Sequence, residues 1–181
     1  ELFLSPWKLP DEWLFSNYLT AWNGGIRRYF INSIYITSTA ILISTILSSM
    51  AAFVLSRIAF KSQKLWLLFI VSGLMLAPQS SLIALFEMSK YLRIYNTRFG
   101  VALINAAFRI PFSTFLIRSW FLGISREIEE SAIIDGCSIP SVFFRIILPL
   151  SKPIIGSTII VSMRAVWNEL IFALVLLESD E

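Results

Sequence analysis

Apolar residues run in long blocks separated by short clusters of charge, the pattern of a chain that crosses a bilayer several times. Tyr29 to Ser56 is 28 residues without a charge. About 20 apolar residues cross the roughly 30 Å hydrocarbon layer, so one span with room to tilt is predicted. Arg57, Lys61 and Lys64 stop it. Leu65 to Phe86 gives a second clean window of 22 residues, closed by Glu87, with a kink expected at Pro78-Gln79-Ser80-Ser81. Two further windows carry charge. Phe99 to Phe121 holds Asn105, Arg109, Pro111 and Arg118, and Pro153 to Leu177 holds Arg164, Asn168 and Glu169. The expected fold class is all-α: a polytopic transmembrane helical bundle with spans at about 29–56, 65–86, 99–121 and 153–177.

Composition supports the membrane reading. Of 181 residues, 56% are hydrophobic and 15% charged, too few charges to coat a soluble domain. Histidine is absent, which removes the commonest metal ligand and general base. Cys137 is the single cysteine and has no internal disulfide partner. No Lys/Arg run suggests a nucleic-acid surface. Residues 1–28 carry Pro6, Pro10, Asp11, Glu12, Trp7, Trp13, Trp22 and Gly24-Gly25 and read as an extracytoplasmic, interfacial lead-in. The chain opens Glu-Leu-Phe, so no signal peptide is expected, and a fragment is. The loops at 57–64 and 122–152 together outnumber the loop at 89–98 in basic residues, six to three. That leans toward placing the first and third loops in the cytoplasm. Arg118 is expected to snorkel from near a span's end.

The segment 125–153 behaves differently. Ser125 is a plausible N-cap, and Glu127, Glu129 and Glu130 crowd the first turns, where the helix dipole favours acids. Ile124, Ile128 and Ala132 form one narrow apolar face. Asp135-Gly136 ends this helix, and Ser138 is placed to cap a second with Pro140 in its first turn. Ile139, Val142, Phe143, Ile146, Ile147 and Leu150 then form an amphipathic stripe. From Ile139 to Leu148 the helix is about 15 Å long, half of what spanning needs. Two readings stay open: a linker resting at the interface, or a lever whose apolar face docks on a partner.

Glu130-Ser131-Ala132, Gly136 and Ile146-Ile147-Leu148-Pro149 resemble the EAA…G…I-x-LP loop of permease subunits in ATP-binding-cassette importers. Ser131 and Cys137 stand where the pattern E-A-A-x-x-D-G-A has Ala. Asn32-Ser33, Phe60-Lys61, Leu116-Ile117-Arg118-Ser119-Trp120-Phe121 and Trp167-Asn168-Glu169-Leu170 to Leu174 are similar to the carbohydrate branch, in particular the second permease of maltose-type systems. The resemblance covers nearly the whole chain. It implies a type I importer permease domain of six spans, the first and last lying outside this chain. The 122–152 loop would be cytoplasmic, a coupling helix seated in a groove of an ATPase subunit. Glu130, Ala132, Asp135, Gly136, Ile146, Leu148 and Pro149 would be its coupling residues. The implied partners are a cytoplasmic ATPase dimer holding ATP and Mg, a second permease subunit, and an extracytoplasmic solute-binding protein that delivers a sugar or oligosaccharide. The implied location is the plasma membrane of a bacterium or archaeon.

Asn105, Arg109, Arg164, Trp167, Asn168 and Glu169 are candidates for the substrate pathway. Charge at membrane depth is costly, and an aromatic face beside hydrogen-bonding groups suits a sugar ring. The competing reading is helix–helix packing through interhelical hydrogen bonds. Arg109 and Arg164 are expected either to favour an acidic or polar substrate or to pair with Glu87, Glu169 or the partner permease. Without a G-x-x-x-x-G-K-[ST] loop the chain is not itself an ATPase of that type, and no nucleophile–base set marks a membrane enzyme. The alternatives are an importer for a polyol, sugar phosphate or peptide, or an ATP-independent secondary transporter with paired discontinuous helices.

Overall fold

The computed structural model describes residues 14–178. Pro6, Trp7, Pro10, Asp11, Glu12 and Trp13 of the lead-in lie outside the described residues. The described residues divide into two compact units, one ending at Ile34 and the other beginning at Tyr35.

In the first unit, α1 (Ser16–Ala21) leads through a π-turn (Trp22–Ile26) into α2 (Arg27–Arg57). Gly25, at φ 120°, kinks the helical path, a backbone state open to glycine at little steric cost. The rings of Trp22 and Phe30 lie 5.9 Å apart across it. Helix therefore begins well before the charge-free window at Tyr29.

In the second unit the rest of α2 is followed by α3 (Gln63–Ser72), α4 (Leu82–Tyr91), α5 (Arg98–Gly123), α6 (Arg126–Ile134), α7 (Ile139–Val142), α8 (Leu148–Leu150), α9 (Lys152–Trp167) and α10 (Ile171–Leu176). Among the described residues no strand forms. The fold is all-helical, and Ser16–Arg57 and Arg98–Gly123 are long and apolar enough to cross a membrane.

Small residues set the packing. On α2 the buried positions Thr37, Ala40, Ser44, Ser48 and Ala52 recur every three or four residues. Ala40 meets Ala102 and Ala106 of α5 and Val166 of α9. Alanines at a crossing let backbones approach closely, as membrane helices require. On α2 three buried hydroxyls are satisfied: Ser44 donates to Ile41 O at 3.2 Å, Ser49 to Thr45 O at 2.7 Å and Ser48 across to Ile110 O on α5 at 3.2 Å. Beyond this crossing, Phe172 and Leu176 of α10 pack on Val101 and Ile104 of α5. The rings of Phe108 and Phe172 stack there, 5.4 Å apart.

Two expected spans are broken. In the window 65–86 the kink expected at Pro78–Ser81 is a sharp break, at which Gln63–Met75 and Gln79–Tyr91 meet at 95°. Pro78 is the cause, since it lacks an N–H and pushes the residue before it out of the helical region. The window 153–177 is also interrupted. α9 stops at Trp167 after 16 residues, about 24 Å, and α10 starts afresh at Ile171. A 73° bend separates Ile139–Leu150 from Lys152–Trp167.

Candidate functional site

The polar segment folds into the capped helix pair its sequence suggests. Ser125 Oγ accepts from Glu127 N at 3.3 Å, and Ser131 Oγ donates to Glu127 O at 2.8 Å. At the other end of α6, Gly136 sits at φ 88°. Its N–H donates to Ile133 O at 3.0 Å while Cys137 N–H donates to Ala132 O at 2.9 Å. This pair of bonds is a Schellman motif, with glycine at the left-handed position. Ser138 holds the N-cap position of α7 without a side-chain capping bond. From α7 the chain runs through a π-turn (Phe143–Ile147) into α8, a helical rod of about 18 Å from Ile139 to Leu150. Pro149 and Pro153 bracket its end.

The middle of the apolar stripe faces inward, while its ends, Ile139 and Leu150, are exposed. Val142, Phe143 and Ile147 are buried against Ala52 and Phe53 of α2 and Ile117 and Phe121 of α5. Phe53 and Phe143 rings meet at 5.0 Å. The stripe therefore seats the loop on its own chain. Apolar side chains left exposed on the loop include Phe144, Leu150, Ile133, Ile139 and above all Ile134, 85% exposed.

The residues carried over from the importer loop thus separate by burial. Ala132 is buried and Ile146 and Leu148 are half-buried in the same core, whereas Glu130, Asp135, Gly136 and Pro149 are exposed. Cys137 is half-buried against that core as well. Of the α6 face expected at Ile124, Ile128 and Ala132, only Ala132 is fully inside.

The loop is also tied down by charge, through contacts that the sequence pattern does not signal. Arg57, at the end of α2, places Nε 2.7 Å from Glu129 Oε1. Its Nη2 donates to Phe121 O at 2.6 Å and Ile124 O at 2.9 Å. Arg118 of α5 does not snorkel: its Nε donates to Leu55 O of α2 at 3.0 Å. Gln63 Nε2 donates to the same carbonyl at 2.7 Å. Carbonyls near a helix C-terminus lack intrahelical donors and carry partial negative charge, so cations are stabilised there. Burial pushes the Glu129 carboxyl above the ordinary glutamate range, a shift that Glu130 adds to and the cations of Arg57 and Arg126 oppose.

The deep polar candidates are only partly gathered. Asn105 is buried and spends its amide on Val101 O of its own helix at 3.0 Å. Asn168 Nδ2 likewise reaches back to Arg164 O at 2.7 Å, and Arg164 itself is exposed. Trp167 is exposed at the end of α9. Glu169 serves the backbone, because its Oε1 accepts from Phe172 N at 3.0 Å and so holds the first turn of α10. It also acts electrostatically on Arg109. Arg109 Nε and Glu169 Oε2 are both buried without a hydrogen-bond partner. Glu87 is exposed on α4. Among the described residues, no three of His, Cys, Asp and Glu gather to hold a metal.

No protein-family model matches the chain. Over 180 residues it is 43% identical to the probable ABC transporter permease protein YurM of Bacillus subtilis, covering 99% of this chain and 60% of that one. It is 32% identical over 177 residues to the diacetylchitobiose uptake system permease protein NgcG of Streptomyces coelicolor, with 97% and 59% covered. It is 37% identical over 147 residues to the trehalose/maltose transport system permease protein MalG of Thermococcus litoralis, with 81% and 52% covered. The chain thus spans little more than half the length of these relatives.

Proposed function

Because the chain belongs to the family of ABC transporter permeases, as a segment covering 60% of one relative's length, we propose that it is the membrane-spanning subunit of a sugar or oligosaccharide importer. A separate ATPase dimer, carrying ATP and Mg, docks on the tip of the 122–152 loop. A second permease subunit completes the pathway, and an extracytoplasmic binding protein delivers the solute. The setting is a bacterial or archaeal plasma membrane. The subunit itself does no bond chemistry; it changes access when the ATPase closes.

The observation that carries this reading is the seated loop. Its apolar stripe and Arg57 fix it to α2 and α5, and its tip stays exposed with Ile134, Glu130 and Asp135. A passive linker needs neither anchor. The names of the relatives, which include diacetylchitobiose and trehalose/maltose systems, support a saccharide as the solute.

The test is reconstitution of the full-length subunit with its partners in proteoliposomes and a panel of labelled oligosaccharides. Accumulation that requires ATP is expected. The break between Gln63–Met75 and Gln79–Tyr91 favours one rival, an ion-driven carrier with discontinuous helices. Uptake driven by a proton or sodium gradient without the ATPase would establish that rival instead. Docking is tested separately with Ile134→Cys in a Cys137→Ala background. It should cross-link to the ATPase groove with a yield that changes with nucleotide.

A further inference from the structure

Two helices exchange arginines at the end where the loop is seated. Arg57 leaves α2 for Phe121 O and Ile124 O at the end of α5, and Arg118 leaves α5 for Leu55 O at the end of α2. Arg57 adds an ion pair to Glu129 on α6, its Nε 2.7 Å from Oε1 without hydrogen-bond alignment, and the two side chains of that pair are only 6% and 12% exposed. One guanidinium therefore joins three segments.

Apolar contacts such as Phe53 on Phe143 are non-directional, so packing alone lets a docked helix slide or rotate by small steps. A planar guanidinium whose Nη2 serves two carbonyls while its Nε faces a buried carboxylate restricts that, because its donors are fixed in a fork. Breaking the contact leaves a buried charge or an unpaired carbonyl, which is strongly unfavourable. The joint therefore has one low-energy arrangement.

We propose that Arg57 is a positioning residue for energy coupling. Through Glu129 and the α5 carbonyls it makes the loop and the C-terminal ends of α2 and α5 move as one body, so that displacement of the tip becomes displacement of the helices. This inference rests on the coupling reading above.

The experiment uses the complete transporter in proteoliposomes. It measures ATP hydrolysis, subunit assembly, and uptake of whichever of labelled maltose, cellobiose, melibiose or raffinose the wild type accumulates. In Arg57→Gln, solute moved per ATP should fall about tenfold, in line with the effect of residues along a coupling network, while hydrolysis persists. Arg57→Lys keeps the charge but not the fork and should fall between. Glu129→Gln, nearly isosteric, should assemble normally and also lose coupling.

A wild type that shows no ATP-dependent uptake of any of the four sugars would sink the importer reading itself. A wild type that transports, with an unchanged solute-to-ATP ratio in assembled Arg57→Gln and Glu129→Gln, would overturn this inference alone. So would loss of assembly in all three variants, which would assign the pair to folding.

Discussion

Gly73 lies so close to Pro111 that a β-carbon on the glycine would come 2.8 Å from the proline Cγ. The end of the α3 segment thus nests on α5 at the helix's internal proline. Gly73→Ala must push the two apart, and over-packing of this kind typically costs about 1–3 kcal/mol. Thermal unfolding of the purified complex in detergent should show the loss, and Gly73→Val a larger one. An unchanged melting temperature in both would mean that the two segments separate freely.

Gly136 ends α6 in the left-handed region with open space around it. A β-carbon there meets no neighbour, so strain is confined to the backbone. Gly136→Ala should cost roughly 1 kcal/mol. It should also fray the last turn of α6, read as faster amide exchange at Gly136 and Cys137, whose N–H groups close the motif. Exchange rates equal to wild type would contradict this.

Glu129 gives a pH dependence whose sign distinguishes burial from pairing. Burial raises its folded-state value, against the pull of Arg57 and Arg126. A raised value means the fold favours the neutral carboxyl. That contribution is complete below the unfolded value, about 4.3, and is lost as pH rises through the folded value. Wild-type stability should therefore fall, relative to Glu129→Gln, as pH climbs through and just above the glutamate range. The opposite slope would show that attraction to Arg57 outweighs desolvation.

Glu169 holds the first turn of α10 through Phe172 N. Glu169→Ala removes this acceptor and leaves the Arg109 charge without its carboxylate, at a cost of about 1–3 kcal/mol. Glu169→Gln retains an acceptor and should recover most of the loss. If Glu169→Ala instead leaves stability intact but weakens sugar uptake, the carboxylate belongs to the substrate pathway.

Local signals in the sequence anticipated local structure. The charge-free run from Tyr29 to Ser56 falls inside α2, Ser125 and Gly136 bound α6 as their chemistry requires, and the i, i+3, i+4 stripe after Ile139 forms a helix. The direction that stripe faces was not legible. A period of 3.6 locates an apolar face without saying whether the neighbour is the chain itself or another. Long-range pairs were illegible for a related reason. Arg57 bonds carbonyls 64 and 67 positions away, and one sequence holds no record of such proximity, so the residue read as a stop signal only. The break after Trp167 depends on side chains turned back on the backbone, Asn168 to Arg164 and Glu169 to Phe172, in a stretch apolar enough to pass for continuous helix.

The exchange of arginines between α2 and α5 constrains how this segment can be recombined with its relatives. Leu55 and Arg57 are bonded to Arg118, Phe121, Ile124 and Glu129, so the two stretches form one hereditary block despite the distance between them in the chain. The carbonyls of Leu55, Phe121 and Ile124 come with any parent, but a chimera that takes residue 57 from one parent and residue 129 from another can separate the guanidinium from its carboxylate. Transplanting both stretches together should preserve the joint.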